Sequence, residues 1–82
     1  MKGTVRFVSH RNGFIAIETE NGDFSLFEAT NTDDLAVDDI VAWVGSRPLG
    51  GETIVNWTRD TRVSGYFQDH DISPLNIRER VR

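Results

Sequence analysis

Two runs of alternating residues, FIAIETE at 14–20 and FSLFEA at 24–29, are separated only by Asn21-Gly22-Asp23. Asn-Gly is the dipeptide best able to adopt the positive φ angles of a tight β-hairpin turn, so these runs are predicted to pair antiparallel. Side chains alternate between the faces of a strand, which places Ile15 and Ile17 on one face and Phe14 and Ala16 on the other. Likewise Phe24 and Leu26 share a face. A lone hairpin is marginal in water and needs further strands to bury its apolar side. Residues 2–9 (KGTVRFVS), 40–44 (IVAWV) and 52–58 (ETIVNWT) supply them, each rich in β-branched and aromatic residues. Residues 30–39 break the series after the third strand as a polar, acidic connection carrying Leu35, Ala36 and Val37 as an apolar anchor. SRPLGG turns the chain between the fourth strand and the fifth. The expected fold is all-β: a five-stranded antiparallel barrel of the OB type with a short C-terminal extension.

An 82-residue chain closes a single core. Cysteine is absent, which removes disulfides and thiolate metal sites, and the apolar runs fall far short of the roughly 20 residues that span a bilayer. A cytoplasmic protein that does not meet a membrane is the expectation. The barrel domain is assigned to residues 1–59 and the extension to 60–82. The extension carries Tyr66, Phe67, Ile72, Leu75, Ile77 and Val81, too apolar for an ordinary solvated terminus, and Ser73-Pro74 reads as a helix N-cap followed by a first-turn proline. It is expected to dock on the barrel or to mediate self-association, with a helix near its end.

The net charge of −4 is unevenly placed. Residues 12–46 hold Glu18, Glu20, Asp23, Glu28, Asp33, Asp34, Asp38 and Asp39 and neither lysine nor arginine. Beyond residue 59, Arg62, Arg78, Arg80 and Arg82 balance Asp60, Asp69, Asp71 and Glu79. Such a total would ordinarily disfavour a polyanionic partner, so where the arginines lie decides the matter.

The first 58 residues resemble the bacterial cold-shock proteins. The opening MKGTVRF is similar to the family's Met-Lys-Gly-Thr-Val-Lys-Trp, with Arg6 at the lysine and Phe7 at the tryptophan. The first ribonucleoprotein motif, Lys-Gly-Phe-Gly-Phe-Ile, falls on residues 12–17, where Gly13, Phe14 and Ile17 match. The second, Val-Phe-Val-His-Phe, falls on residues 23–27, where Phe24 and Phe27 match. Leu35, Val41, Trp43, Gly51 and Asn56 continue the series. The departures are Asn12 for the motif's lysine, Ala16 for its second phenylalanine, Leu26 for its histidine, and Val8 for the phenylalanine after the tryptophan position.

The resemblance implies an OB barrel that binds single-stranded RNA or DNA by stacking bases on an outward aromatic face, with Phe7, Phe14, Phe24 and Phe27 as stackers and Arg6 and Arg11 beside them. Each stacked base is worth about 1–3 kcal/mol, so the lost aromatics imply weakened binding. Strand aromatics are more often core than platform; the exposure of Phe27 in particular depends on strand twist. The competing reading is an OB-fold protein-interaction module that has exchanged stacking for an apolar patch made by Ile15, Ala16 or Leu26 with the C-terminal extension. No nucleophile, phosphate loop or cofactor motif is legible, so no catalytic residue and no cofactor are expected. Asp69-His70-Asp71 has too few ligands for a metal site.

Overall fold

The computed structural model describes residues 1–81, which form one closed antiparallel barrel and a short helix. The strands are β1 (Lys2–Val8), β2 (Phe14–Thr19), β3 (Phe24–Ala29), β4 (Ile40–Ala42), β5 (Gly50–Asn56) and β6 (Thr61–Ile72), followed by α1 (Ile77–Val81). Around the barrel the order is β1-β2-β3-β6-β5-β4, closed by β4 against β1. The Asn21-Gly22 turn joins β2 to β3 with Ile15 opposite Phe27 and Ala16 opposite Leu26; Thr19 N donates to the Asp23 carbonyl at 2.8 Å, so the loop spans Glu20, Asn21 and Gly22, and of these Gly22 alone takes a positive φ, 90°.

The barrel is of the small OB-like kind with six strands rather than five. The added strand is β6, the longest, drawn from residues expected to lie outside the barrel. It pairs with β3 on one edge and with β5 on the other, so the boundary anticipated after residue 59 falls in the β5–β6 turn. Val63 and Phe67 point inward while Arg62, Ser64, Tyr66 and Gln68 point to solvent, the period-two pattern of a half-buried strand. Between them stands Gly65. A Cβ there would lie 2.2 Å from the Glu28 carbonyl oxygen and 2.7 Å from Phe27 Cζ, so only glycine lets β6 close against β3.

Inside the barrel Val5, Ile15, Ile17, Phe27, Val41, Ile54, Val63 and Phe67 form the core, and Trp43 and Leu35 join it. Phe67 lies edge-on to Phe27 at 4.8 Å between ring centroids and 5.0 Å from Trp43. Leu35 is the anchor of the long connection. That connection is fastened at Asp39, whose carboxylate Oδ2 accepts from the Asn56 Nδ2, Arg59 Nε and Ala36 N groups at 2.8, 2.8 and 2.9 Å. No helix among the described residues is long and apolar enough to cross a membrane.

The Ser73 cap appears as expected, its hydroxyl accepting from Leu75 N at 3.1 Å and its carbonyl from Ile77 N at 3.2 Å. Helix α1 then lies on the outside of β2 and β3. There Ile77 and Val81 pack with Ala16, Phe24, Leu26 and Ile72 into a second apolar cluster, with Phe7 and Phe14 at its border.

Candidate nucleic-acid interface

The outer face of β1, β2 and β3 carries three of the four residues expected to stack bases, Phe7, Phe14 and Phe24. Strand pairing aligns Phe7 with Ala16 and Leu26, and Phe14 with Glu28, as neighbours on that face. A β-bulge between Val5 and Phe7 turns Phe7 outward after Val5 has pointed into the core. Phe7 and Phe14 are partly exposed.

Two expected stackers do not present a free ring. Phe27 is fully buried in the barrel core, against Phe67, because it shares the parity of Ser25 and faces inward across from Ile15. Phe24 does lie on the outer face, 6.4 Å from Phe7 between ring centroids, yet only 6% of it is exposed. It shares its cluster with Ile72 at the end of β6 and with Ile77 and Val81 of α1, so its burial comes from the C-terminal segment laid on the outside of the barrel. The open platform is therefore Phe7 and Phe14.

Two of the four departures from the cold-shock pattern, Ala16 and Leu26, lie under that helix, whereas Val8 packs against the barrel core and Asn12 sits in the turn before β2. Ala16 is wholly buried and Leu26 is 2% exposed, both in the helix-covered cluster. A phenylalanine and a histidine at these positions would occupy the volume that Ile77 and Val81 fill. The helix is held at its flank by an ion pair, Arg80 Nη1 to Asp69 Oδ2 at 3.1 Å, across from Leu26 on β6. Asp69 also accepts from the backbone N–H of His70, and these two contacts, the backbone bond foremost, hold its carboxyl below the ordinary aspartate range.

The two expected arginines are placed differently. Arg6, at the bulge, pairs with Glu18 and Asp38, each at 2.9 Å, so its charge is balanced within the chain. Arg11 is exposed in the turn before Phe14 and makes no ion pair among the described residues. A further cation arrives from the helix: the Arg78 guanidinium lies over the Phe7 ring at 5.3 Å, a contact invisible without the helix position. Arg47 and Arg59 pair with Asp71 and Asp39.

The Asp-His-Asp segment is structural. His70 Nε2 donates to the Pro48 carbonyl, its Nδ1 accepts from the Ser25 hydroxyl at 2.8 Å, and the flanking aspartates pair with different arginines. Among the described residues no group of three or more His, Cys, Asp or Glu side chains is arranged to hold a metal. The apolar residues of the extension are largely used within the chain, since Phe67, Ile72, Ile77 and Val81 are buried and only Tyr66 and Leu75 are exposed. No family model, curated protein or solved structure matches the chain.

Proposed function

We propose that this chain is a non-enzymatic, cytoplasmic binder of single-stranded RNA or DNA, of cold-shock type, working with a platform reduced by its own C-terminal helix. One observation carries the reading: Phe7 and Phe14 remain partly exposed on one outer barrel face at the border of the helix-covered cluster. Arg78 lies over Phe7, and Arg11 precedes Phe14 in the adjoining turn. Partly exposed rings near cations are what a single strand uses on an OB sheet, bases on the rings and phosphates on the charges. With two open rings and few unpaired cations, binding is weak and falls steeply with salt.

A protein-interaction role is favoured by a different observation. Four arginines are neutralised by ion pairs with aspartate or glutamate, and Trp57, Ile40 and Met1 are exposed by 57%, 41% and 48%. Titration of a labelled heptathymidylate at low and moderate salt separates the two. Saturable, salt-sensitive binding that is lost in the Phe7→Ala/Phe14→Ala variant, with the barrel still folded, supports the nucleic-acid reading. Absence of binding at low salt overturns it in favour of a protein partner.

A further inference from the structure

The outer face does not end at β3. Because β6 is a barrel strand, the row that begins with Phe14 on β2 continues through Glu28 on β3 to Tyr66 on β6 and Gly51 on β5. Phe14 and Tyr66 are thus two strands apart, about 10 Å, and their side chains leave the same side of the sheet. Tyr66 is 52% exposed and lies outside the cluster that α1 covers. Its ring leans over Gly51: a Cβ on that glycine would stand 3.7 Å from Tyr66 Cε1. One side of the tyrosine rests on backbone while the rest meets solvent, an arrangement that suits a base-stacking surface better than a packed core.

Glu28 stands between the two rings. Gln68 Nε2 donates to its Oε1 at 3.0 Å, which orients the carboxylate, and among the described residues its Oε2 accepts no hydrogen bond. An ionised carboxylate only accepts hydrogen bonds. A base lying on Tyr66 or Phe14 with its edge toward Glu28 must therefore present donors. Guanine offers two adjacent ones on its Watson–Crick edge, N1–H and the N2 amino group, matching the two oxygens of a carboxylate. Thymine and uracil offer one N–H between two carbonyl oxygens, which a carboxylate repels.

We propose that Phe14, Glu28 and Tyr66 form a base-reading subsite that takes a guanine in a single strand, Tyr66 stacking and Glu28 accepting from the base edge. The subsite rests on the nucleic-acid reading and extends it to a strand that the cold-shock resemblance does not reach. Beyond Tyr66 the face continues with the hydroxyls of Thr53 and Ser64, 3.4 Å apart, uncharged groups that leave room for the sugar of a neighbouring nucleotide.

The test compares heptathymidylate with the same oligonucleotide bearing guanine at its centre. The guanine-containing strand is expected to bind more tightly. Tyr66→Ala should weaken its binding roughly tenfold while Tyr66→Phe retains it, as for loss of one stacked base. Glu28→Gln should abolish the preference for guanine without abolishing binding. Because Tyr66 is the chain's single tyrosine, its ring resonances in the intact protein report directly. They should move upfield on titration with the guanine oligonucleotide, a readout independent of how the variants fold. If Phe7→Ala weakens binding while Tyr66→Ala and the tyrosine resonances are unaffected, the subsite is wrong and the broader reading stands. If Glu28→Gln leaves the preference intact, the assignment of Glu28 is wrong. Failure of wild type to bind either oligonucleotide overturns both.

Discussion

Replacing Ile77 with aspartate should release α1 from the barrel and leave the barrel folded. Ile77 is 1% exposed, enclosed by Ala16, Phe24, Leu26, Ile72 and Val81. Truncating a buried isoleucine ordinarily costs about 2–5 kcal/mol. Here the low end applies, since the site is on the outside of the barrel and the helix is only 5 residues long. The loss is also capped. Once the helix has left, the buried core of Phe27, Phe67, Ile15 and Ile54 remains enclosed by six strands, and a further insult to α1 has nothing left to remove. Ile77→Asp, Ile77→Asp/Val81→Asp and truncation after Ser73 should therefore share one stability, about 2 kcal/mol below wild type. For a domain of this size that is a fall in Tm of roughly 8–16 °C.

Urea denaturation followed by circular dichroism measures the plateau. The same variants uncover Phe24 but also take Arg78 from beside Phe7, so under the proposed function they should bind heptathymidylate more tightly at moderate salt, where stacking outweighs the lost charge, by at most one stacked base or about 1–3 kcal/mol. A truncation after residue 59, by contrast, removes β6 and should not fold. Additive losses in the double variant, or a loss approaching the full stability of the domain, would refute the separation of helix from barrel.

Asp39→Asn should be destabilising at neutral pH and nearly neutral in acid. Burial opposes ionisation of Asp39, but the hydrogen bonds from Asn56, Arg59 and Ala36, with the charge of Arg59, outweigh it and hold the carboxyl below its ordinary value. That stability is present above the unfolded value near 4 and lost as pH falls through the lower folded one, so wild-type and variant urea midpoints should converge below about pH 4. Gly65→Ala should cost about 3 kcal/mol or more, read as a urea midpoint, since the added Cβ meets sheet backbone and the Phe27 ring; a loss below 1 kcal/mol would show that β6 can move away. Introducing the residues of the cold-shock pattern with Ala16→Phe/Leu26→His should destabilise the full chain by roughly 1–3 kcal/mol through overpacking, yet under the proposed function tighten oligonucleotide binding in the chain truncated after Ser73. Equal affinity in the truncated pair would mean that these positions do not face the ligand.

The first three strands were legible because their chemistry is local: Asn21-Gly22 sets the hairpin, and the parity of Ile15 and Ile17 selects the inner face. Strand β6 escaped because the tightest approach in the sheet takes the side chain away. Its inward positions run Val63, Gly65, Phe67, and the glycine breaks the apolar alternation at the point where Phe27 and the Glu28 carbonyl fill the space. The alternation survives on its outward side, Arg62, Ser64, Tyr66, Gln68, and a reading that let one glycine stand for an apolar residue would find the strand. The outer aromatic face was legible, but not which of its rings are open. Parity correctly puts Phe24 outside the barrel; its cover comes from Ile77 and Val81, some fifty residues along, and no local pattern encodes that contact. Arg6 was legible as a cation near Phe7, whereas its neutralisation depends on Glu18 across β2 and on Asp38, whose φ of 78° presents the long connection to the bulge.

Seen from the helix, the departures at Ala16 and Leu26 have one physical cause. An aromatic platform is costly to leave in water and must be wet to be useful; an apolar helix needs a floor that is flat and free of polar groups. The same sheet positions cannot serve both. At 16 an alanine leaves depth for Ile77, and at 26 a leucine packs without the ring nitrogens that a histidine would bury, while Phe24 serves as one wall of the seat. The helix needs its own fixed position, which Arg80 and Asp69 supply at one flank and the Ser73 cap at its start. What remains for a ligand is the margin that the helix does not reach: Phe7 with Arg78 on one border and Phe14 on another. There the sheet continues onto β6, the strand that also carries the chain toward the helix. Residues 60–81 thus close the barrel, cover part of the outer face of β2 and β3 and extend that face onto β6, so any binding this face performs is set as much by the added strand and helix as by the motifs of the first 58 residues.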